Sequence, residues 1–376
     1  MKVEVCNYYN DHKTACSLMI DDLVPVAVSK DGEFKSCNDW GYLTDKPSSL
    51  YAYFTEFLLR KYPEIKGTIF LPIDSQLYIP ENQGYKVIKS GFDQEFLEFL
   101  KRIYSRFEFA FHGIKHAWEN AENHTIHEFN NITSTEIQEI KQRLSDFSGS
   151  KGIVFNGGKF PGYKYNDIAL NFIKDVKYNW WALSKDMLNK KSNKNLPLFN
   201  SELNIVEIPT NITGDIFKNF YWRNSKRRIL SNLLKLNTLS HPIDLLRYFY
   251  ENGIPITIQE HFQNQTTKGT RQPINIYDDI WSLDQIFGLL RGLDIWYTTC
   301  GEIADYYFNY INTSIKKTDN DSFDIISNKP FRSINITIRT ASARLHFLDE
   351  NIFIQGIRKK DGWVFNNLKS GSYRAL

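Results

Sequence analysis

The sequence predicts an α/β fold: a (β/α) barrel of seven or eight units, with a small antiparallel β appendage at its C-terminal end. Three observations predict it. Short apolar, β-rich runs alternate with stretches of helical period. Such alternation implies a parallel sheet joined by right-handed crossovers. Near Asn312 the pattern changes to strand-like runs separated by turn residues.

Strands are expected at 15–20, 67–72, 107–111, 152–156, 178–183, 204–208, 255–259 and 294–298. Helical period falls at 48–61, 93–104, 134–147, 166–175, 242–251, 282–291 and 301–311. Ser134 with Glu136, Asn166 before Asp167, and Ser282 with Asp284 read as helix starts. An open doubly wound sheet is the alternative, but no glycine-rich phosphate loop follows the first strand. Residues 185–203 are polar and read as an insertion loop, and 212–240 as an irregular helical excursion. The barrel is assigned to residues 1–312, 313–322 to a linker and 323–376 to the β-rich appendage. Within the appendage, Asp349-Glu350-Asn351 and Lys359-Lys360-Asp361-Gly362 are hairpin signals. A unit of about 60 residues is expected to lean on the barrel rather than stand alone.

Composition narrows the function. The chain has 376 residues, 42% hydrophobic and 24% charged, the balance of a folded globular protein. Forty-six Lys+Arg against 43 Asp+Glu leave a net charge of +3, with no basic stripe, so nucleic acid is not an expected partner. No apolar run approaches the roughly 18 residues that span a bilayer. The start, Met1 to Asn7, lacks the apolar core of a secretory signal, and a cytoplasmic location is expected. Cys6, Cys16, Cys37 and Cys300 show no paired spacing, so reduced thiols are expected. Aromatics reach 15%, which suits sugar stacking but follows more simply from an A/T-rich genome.

Candidate chemistry sits at the ends of the expected strands, where a barrel places its active site. Asp21-Asp22 ends the first strand, so that one carboxylate is free to hold a metal and the other to take a proton. His112 ends the third strand, and His116 follows four residues on. If 113–116 make a helical turn, both imidazoles face one point, as a divalent metal requires. Lys159-Phe160-Pro161-Gly162-Tyr163 follows the fourth strand, and its turn can aim a backbone N–H at an oxyanion. Glu260-His261 follows the seventh strand, and His261 is a candidate general acid. His124 and His127 read as surface residues, and His241, before Pro242, as a helix cap or surface residue.

These four elements, in this order, resemble the polysaccharide deacetylase family (carbohydrate esterase family 4). Met19-Ile20-Asp21-Asp22-Leu23 is similar to the family's Thr-Phe-Asp-Asp-Gly, and His112 to His116 to its His-(Ser/Thr)-x-x-His. Glu128-Phe129 matches the stretch after that motif, Lys159 to Gly162 resembles Arg-x-Pro-Tyr, and His261 matches the late histidine. The resemblance covers roughly residues 10–310. It implies a distorted (β/α) barrel and one divalent metal, zinc for choice, held by Asp22, His112 and His116. It makes Asp21 the base that activates water, and His261 the acid for the leaving amine. The backbone N–H of Gly162 or Tyr163 would hold the oxyanion, and Lys159 stands where the family has arginine. The implied activity is removal of an N-acyl group, acetyl above all, from a sugar or glycan. Leu23 and Lys159 depart from the pattern and imply a divergent branch. Two alternatives stay open: an amide hydrolase with a non-sugar substrate, and an inactive carbohydrate-binding barrel.

Overall fold

The computed structural model describes residues 2–30, 33–34, 50–74, 85–119, 125–184, 196–223, 241–262 and 274–376. Cys37, His124 and most of the expected insertion loop and helical excursion lie outside the described residues.

Among the described residues the central sheet has ten strands. In chain order they are β1 (Thr14–Asp21), β2 (Gly67–Leu71), β3 (Phe107–Phe111), β4 (Gly157–Lys159) and β5 (Trp180–Ser184). β6 (Leu198–Asn200), β7 (Ile205–Thr210), β8 (Ile212–Thr213), β9 (Ile256–His261) and β10 (Ile295–Tyr297) complete it. The order is β6-β7-β5-β4-β3-β2-β1-β9-β8, with β10 beside the start of β1. Every pairing is parallel except β6 with β7. Helices α1 (Leu50–Phe54), α2 (Gln94–Ile103), α3 (Ser134–Lys151), α4 (Asp167–Asp175), α5 (Pro242–Glu251), α6 (Ile276–Leu290) and α7 (Cys300–Ile311) fall between or after the strands.

Helix starts follow side-chain chemistry. Thr133 and Glu136 form a capping box at α3, and the Asn166 side chain accepts the Ala169 N–H at α4. Each satisfies an N–H that a helix start leaves open. The expected start at Ser282 is corrected. α6 begins at Ile276, capped by Asn275, and Ser282 is buried inside it, its Oγ accepting the Phe217 N–H. His241 does cap α5, its ring accepting the Ile243 N–H.

The fourth strand is also displaced, from 152–156 to Gly157–Lys159. Gly152 closes α3 in the left-handed conformation, and Val154 is exposed. The strand is glycine-rich because a Cβ on Gly157 would meet the Trp180 indole at 2.3 Å. Strand propensity is overridden here by the need for backbone to pass under two tryptophans.

The two faces of the sheet differ. Leu18, Ile20, Ile69, Leu71 and Phe111 join Phe54, Phe96, Phe172 and Ile286 from the helices in one large core. Ala15, Met19, Phe70, Ala110, Trp180 and Ile208 form a second cluster, closed by Cys300, Ile303 and Phe308 of α7. Truncating one of these buried rings to alanine costs about 3–5 kcal/mol.

The C-terminal residues fold into antiparallel sheets, as expected. One comprises Val3–Val5, Ile336–Thr340, Gly362–Leu368 and Ile357–Lys359; the other comprises Thr313–Lys317, Ser322–Ser327, Gly371–Ala375, Arg344–Phe347 and Ile352–Gln355. The expected linker is therefore largely strand, and the N-terminal strand joins the tail. Phe323, Ile338, Leu345 and Phe365 form the core between these sheets. Arg332 ties the tail to the central sheet, donating to Asn179 O at 2.9 Å with its guanidinium over the Phe308 ring. Cys6, Cys16 and Cys300 are free and buried. Among the described residues no helix is long and apolar enough to cross a membrane.

Candidate active site

β1 and β9 lie side by side with Asp21 opposite His261. Strand period two places Met19 on the face of Asp21, and Gln259 on the face of His261. Asp21 and His261 are thus the last residues of their strands rather than residues beyond them. A neighbour of Asp21 in extended chain would point to the opposite face. Asp22 instead adopts φ 63°, a left-handed turn that brings its carboxylate back toward the same point.

His112 follows β3, and His116 joins it through a loop that is not helical. Gly113 and His116 have φ 87° and 63°, and the helical turn expected there is absent. Glu128 holds this loop, its carboxylate accepting Ile114 N–H at 2.8 Å and Lys115 N–H at 3.3 Å. Burial pushes Glu128 up to about 7.

The three side chains converge. Asp22 Oδ1 lies 3.5 Å from His112 Nε2 and 3.3 Å from His116 Nε2. One ligand atom from each residue falls within 4.8 Å of the others. His112 Nδ1 donates to Lys159 O at 2.9 Å, which fixes its tautomer and leaves Nε2 with a free lone pair. Burial keeps both imidazoles neutral, driving His116 down to about 4. Asp22 is 2% exposed, and neither of its carboxylate oxygens has a hydrogen-bond partner. Burial pushes it up to about 7. A buried carboxylate without hydrogen-bond partners, with one oxygen against two neutral imidazole nitrogens, makes a donor set that fits a divalent cation.

Beside this cluster stands an ion pair. Lys159 Nζ reaches Asp21 Oδ1 at 2.5 Å, and Gln259 donates to Oδ2 at 3.1 Å. Burial raises the Asp21 carboxyl, but the Lys159 ammonium, with His112 and His261, outweighs it and holds Asp21 below the usual carboxylate range. The Phe70 ring lies 4.4 Å under the ammonium. His261 Nε2 is 3.6 Å from Asp21 Oδ2, and its Nδ1 donates to Ile274 O at 2.7 Å. Ile274 itself has φ 65°, a strained state for a β-branched residue, which turns its carbonyl to the imidazole.

The Lys159–Tyr163 segment makes the expected tight turn, with Lys159 the last residue of β4 rather than a residue beyond it. Tyr163 N–H donates to Phe160 O at 3.0 Å, which leaves the Gly162 N–H as the freer donor of the two. Gly162 is exposed, with φ 56°. His127 is not a plain surface residue. Its ring lies against Gly162, where an added Cβ would meet it at 2.5 Å, and 6.0 Å from the His116 ring. Sequence reasoning missed Gln259, Glu128 as the loop's brace, His127 and Ile274. For Gln259 a signal existed: it lies two residues before His261 in a strand.

No family model matches the chain, and no curated sequence does. Among solved structures it is similar to a candidate polysaccharide deacetylase from Mycobacterium smegmatis, with TM-score 0.42 and 13% identity over 80% of this chain and 92% of that one. A chitin deacetylase from Colletotrichum lindemuthianum gives TM-score 0.36 and 13% identity, over 79% and 89% of the two chains. A 4-α-glucanotransferase from Thermococcus litoralis gives 0.40 and 13%, over 77% of this chain but only 38% of that one. Carbohydrate deacetylases thus recur among the structural neighbours, and one neighbour is a CE4-family pseudoenzyme from Bacillus anthracis, at TM-score 0.35. At this distance none of them assigns a role to a residue.

Proposed function

We propose that the protein is a metal-dependent hydrolase that removes an N-acyl group, acetyl above all, from a sugar or glycan, and that it is a divergent polysaccharide deacetylase. The observation that carries the reading is Asp22, whose two buried oxygens lack hydrogen-bond partners and whose Oδ1 lies against His112 and His116. Zinc is the ion that a carboxylate and two imidazoles suit best. Once bound there, it would polarise the amide carbonyl and acidify a water.

The chain's own residues supply the rest. Asp21, kept ionised by Lys159, accepts the proton of the attacking water on Oδ2, the oxygen nearest His112 and His261. The Gly162 N–H donates to the carbonyl oxygen as negative charge gathers on it. His261, its Nδ1–H fixed on Ile274 O, carries a proton on Nε2 and gives it to the leaving nitrogen as the C–N bond breaks. The sugar is carried by the likeness of the motifs, and the chemistry by the residues.

The proposal includes a distorted barrel within residues 1–312, with 323–376 as its appendage, to whose sheets Val3–Val5 and Thr313–Lys317 add strands. β7 and β8 are separated by Asn211 alone, yet pair with β5 and β9, far apart in the strand order. Asn211 N–H donates to Thr257 Oγ1, and Thr257 Oγ1 to Pro209 O, which supports a closed seam. Acetate release from N-acetylated mono- and oligosaccharides, with and without a chelator, tests the function. Chelator-sensitive release supports it. Sugar binding without release favours the inactive barrel.

A further inference from the structure

We infer that Gln259 is a positioning residue for Asp21, held in place by Tyr163 and Thr210 through a one-way chain of hydrogen bonds. The inference rests on the proposed role of Asp21 as base. Its starting point is that the two oxygens of Asp21 are held by different residues: Oδ1 by Lys159 and Oδ2 by Gln259. Lys159 brings a point charge that holds the carboxylate ionised but does not set its rotation. A second donor on the other oxygen does.

The chain has a defined direction. Gln259 Oε1 accepts from Tyr163 OH at 3.1 Å, and an amide oxygen can only accept. Tyr163 OH must therefore donate to it. Thr210 Oγ1, 2.6 Å from the same phenol oxygen, then turns its single proton to Tyr163 rather than to Met19 Sδ, a weaker acceptor 3.7 Å away. The far side of the amide is its NH2 group, which faces Asp21 Oδ2. Flipping the amide would press Oε1 against a carboxylate oxygen, two acceptors in contact. Thr210, Tyr163, Gln259 and Asp21 thus form a relay with a single polarity, ending on an acceptor.

This arrangement leaves one lone pair of Oδ2 on Gln259 and the other toward His112 Nε2 and His261 Nε2, at 3.9 and 3.6 Å. That second lone pair is where a water proton would arrive. After it arrives, Oδ2 still accepts from Gln259, so no contact breaks during the transfer. The relay crosses three strands, β7, β9 and β1, and the turn after β4.

Gln259→Leu keeps the shape and removes the donor. Crystal structures of wild type and Gln259→Leu should show the Asp21 carboxylate rotated about its Cβ–Cγ bond in the variant, with Lys159 still on one oxygen. Kinetically, kcat should fall about ten- to a hundredfold, the worth of a hydrogen bond to a charged group, with KM and zinc content unchanged. Tyr163→Phe keeps the ring under Lys159 and should lower kcat less. Tyr163 also hydrogen-bonds Lys159, so Tyr163→Phe/Gln259→Leu should lose less than the product of the two single losses, by the part of the Tyr163 effect that runs through Gln259. An Asp21 carboxylate unmoved in Gln259→Leu, or single losses that multiply in the double variant, would overturn the inference. If wild type releases no acetate, the proposed function falls, and the Asp21 rotation alone decides whether the relay exists.

Discussion

The two halves of the site are built in opposite ways. Asp22, His112 and His116 stand on a turn and a loop, two of them in left-handed backbone, and the carboxylate at their centre has no hydrogen-bond partner. Asp21, Gln259, Lys159 and His261 stand on strands, and the first two are knit into a directed network. The first half is organised to receive something the chain does not contain. The second is tied together by its own ion pair and hydrogen bonds. Strain and orphaned polar atoms cost free energy, and they persist where a ligand returns it. The difference teaches that the proposed metal site and its proposed acid–base partners draw on separate structural resources, even at neighbouring residues 21 and 22.

Substitutions can break that division from either side. The largest expected effect is on the acid. His261→Ala should cost roughly 10²–10⁴ in rate on an N-acetyl substrate while metal stays bound. An activated ester, whose leaving group needs no proton, should suffer less. Equal losses on both substrates would assign His261 to shaping the site.

Lys159→Met should come next, as a loss of stability. It leaves the Asp21 carboxylate buried without its partner, which costs about 3–5 kcal/mol. Urea unfolding of Lys159→Met and of Lys159→Met/Asp21→Asn checks it. The double variant should recover part of the loss, and an unchanged single variant would show that the pair is dispensable.

Glu128→Gln acts on the metal half from outside it. Weakening the brace on the His112–His116 loop should reduce zinc affinity about 10- to 100-fold, as lost support behind a ligand does. Titration with a competing chelator measures this, and an unchanged affinity would mean that the loop holds itself.

The smallest effect is expected for Gly162→Ala. A Cβ there meets His127 at 2.5 Å in left-handed backbone. The conformation alone costs about 1–2 kcal/mol. Thermal unfolding should show that loss, and wild-type stability would place the His127 ring elsewhere.

Much of this was legible in the residues, for physical reasons. Phe107-Glu108-Phe109-Ala110-Phe111 can only be a strand, so the place of His112 follows. The same holds for β1 and β9, and hence for Asp21, Asp22 and His261. β4 was not legible, because its glycines answer to Trp180 and Trp181, which lie more than 20 residues away in sequence. The route by which His116 meets His112 was hidden as well. It depends on left-handed residues and on the Glu128 carboxylate, which follows the paired strands Ala117–Glu119 and Thr125–His127, and neither leaves a period in the sequence. Gln259 was overlooked although its spacing from His261 marked it. The N-terminal strand in the tail sheets rests on a pairing between Val3–Val5 and Ile336–Thr340 that no local pattern announces.

The central claim is that Asp22, His112 and His116 hold one divalent metal, while Asp21 serves beside it without being a ligand. Metal content per chain, measured by elemental analysis on wild type, His112→Ala and Asp21→Asn purified alike, tests it most directly. The expected result is one zinc-class ion in wild type, near-complete loss in His112→Ala with the fold retained, and full content in Asp21→Asn. A fully loaded His112→Ala protein, or loss of metal in Asp21→Asn, would contradict it.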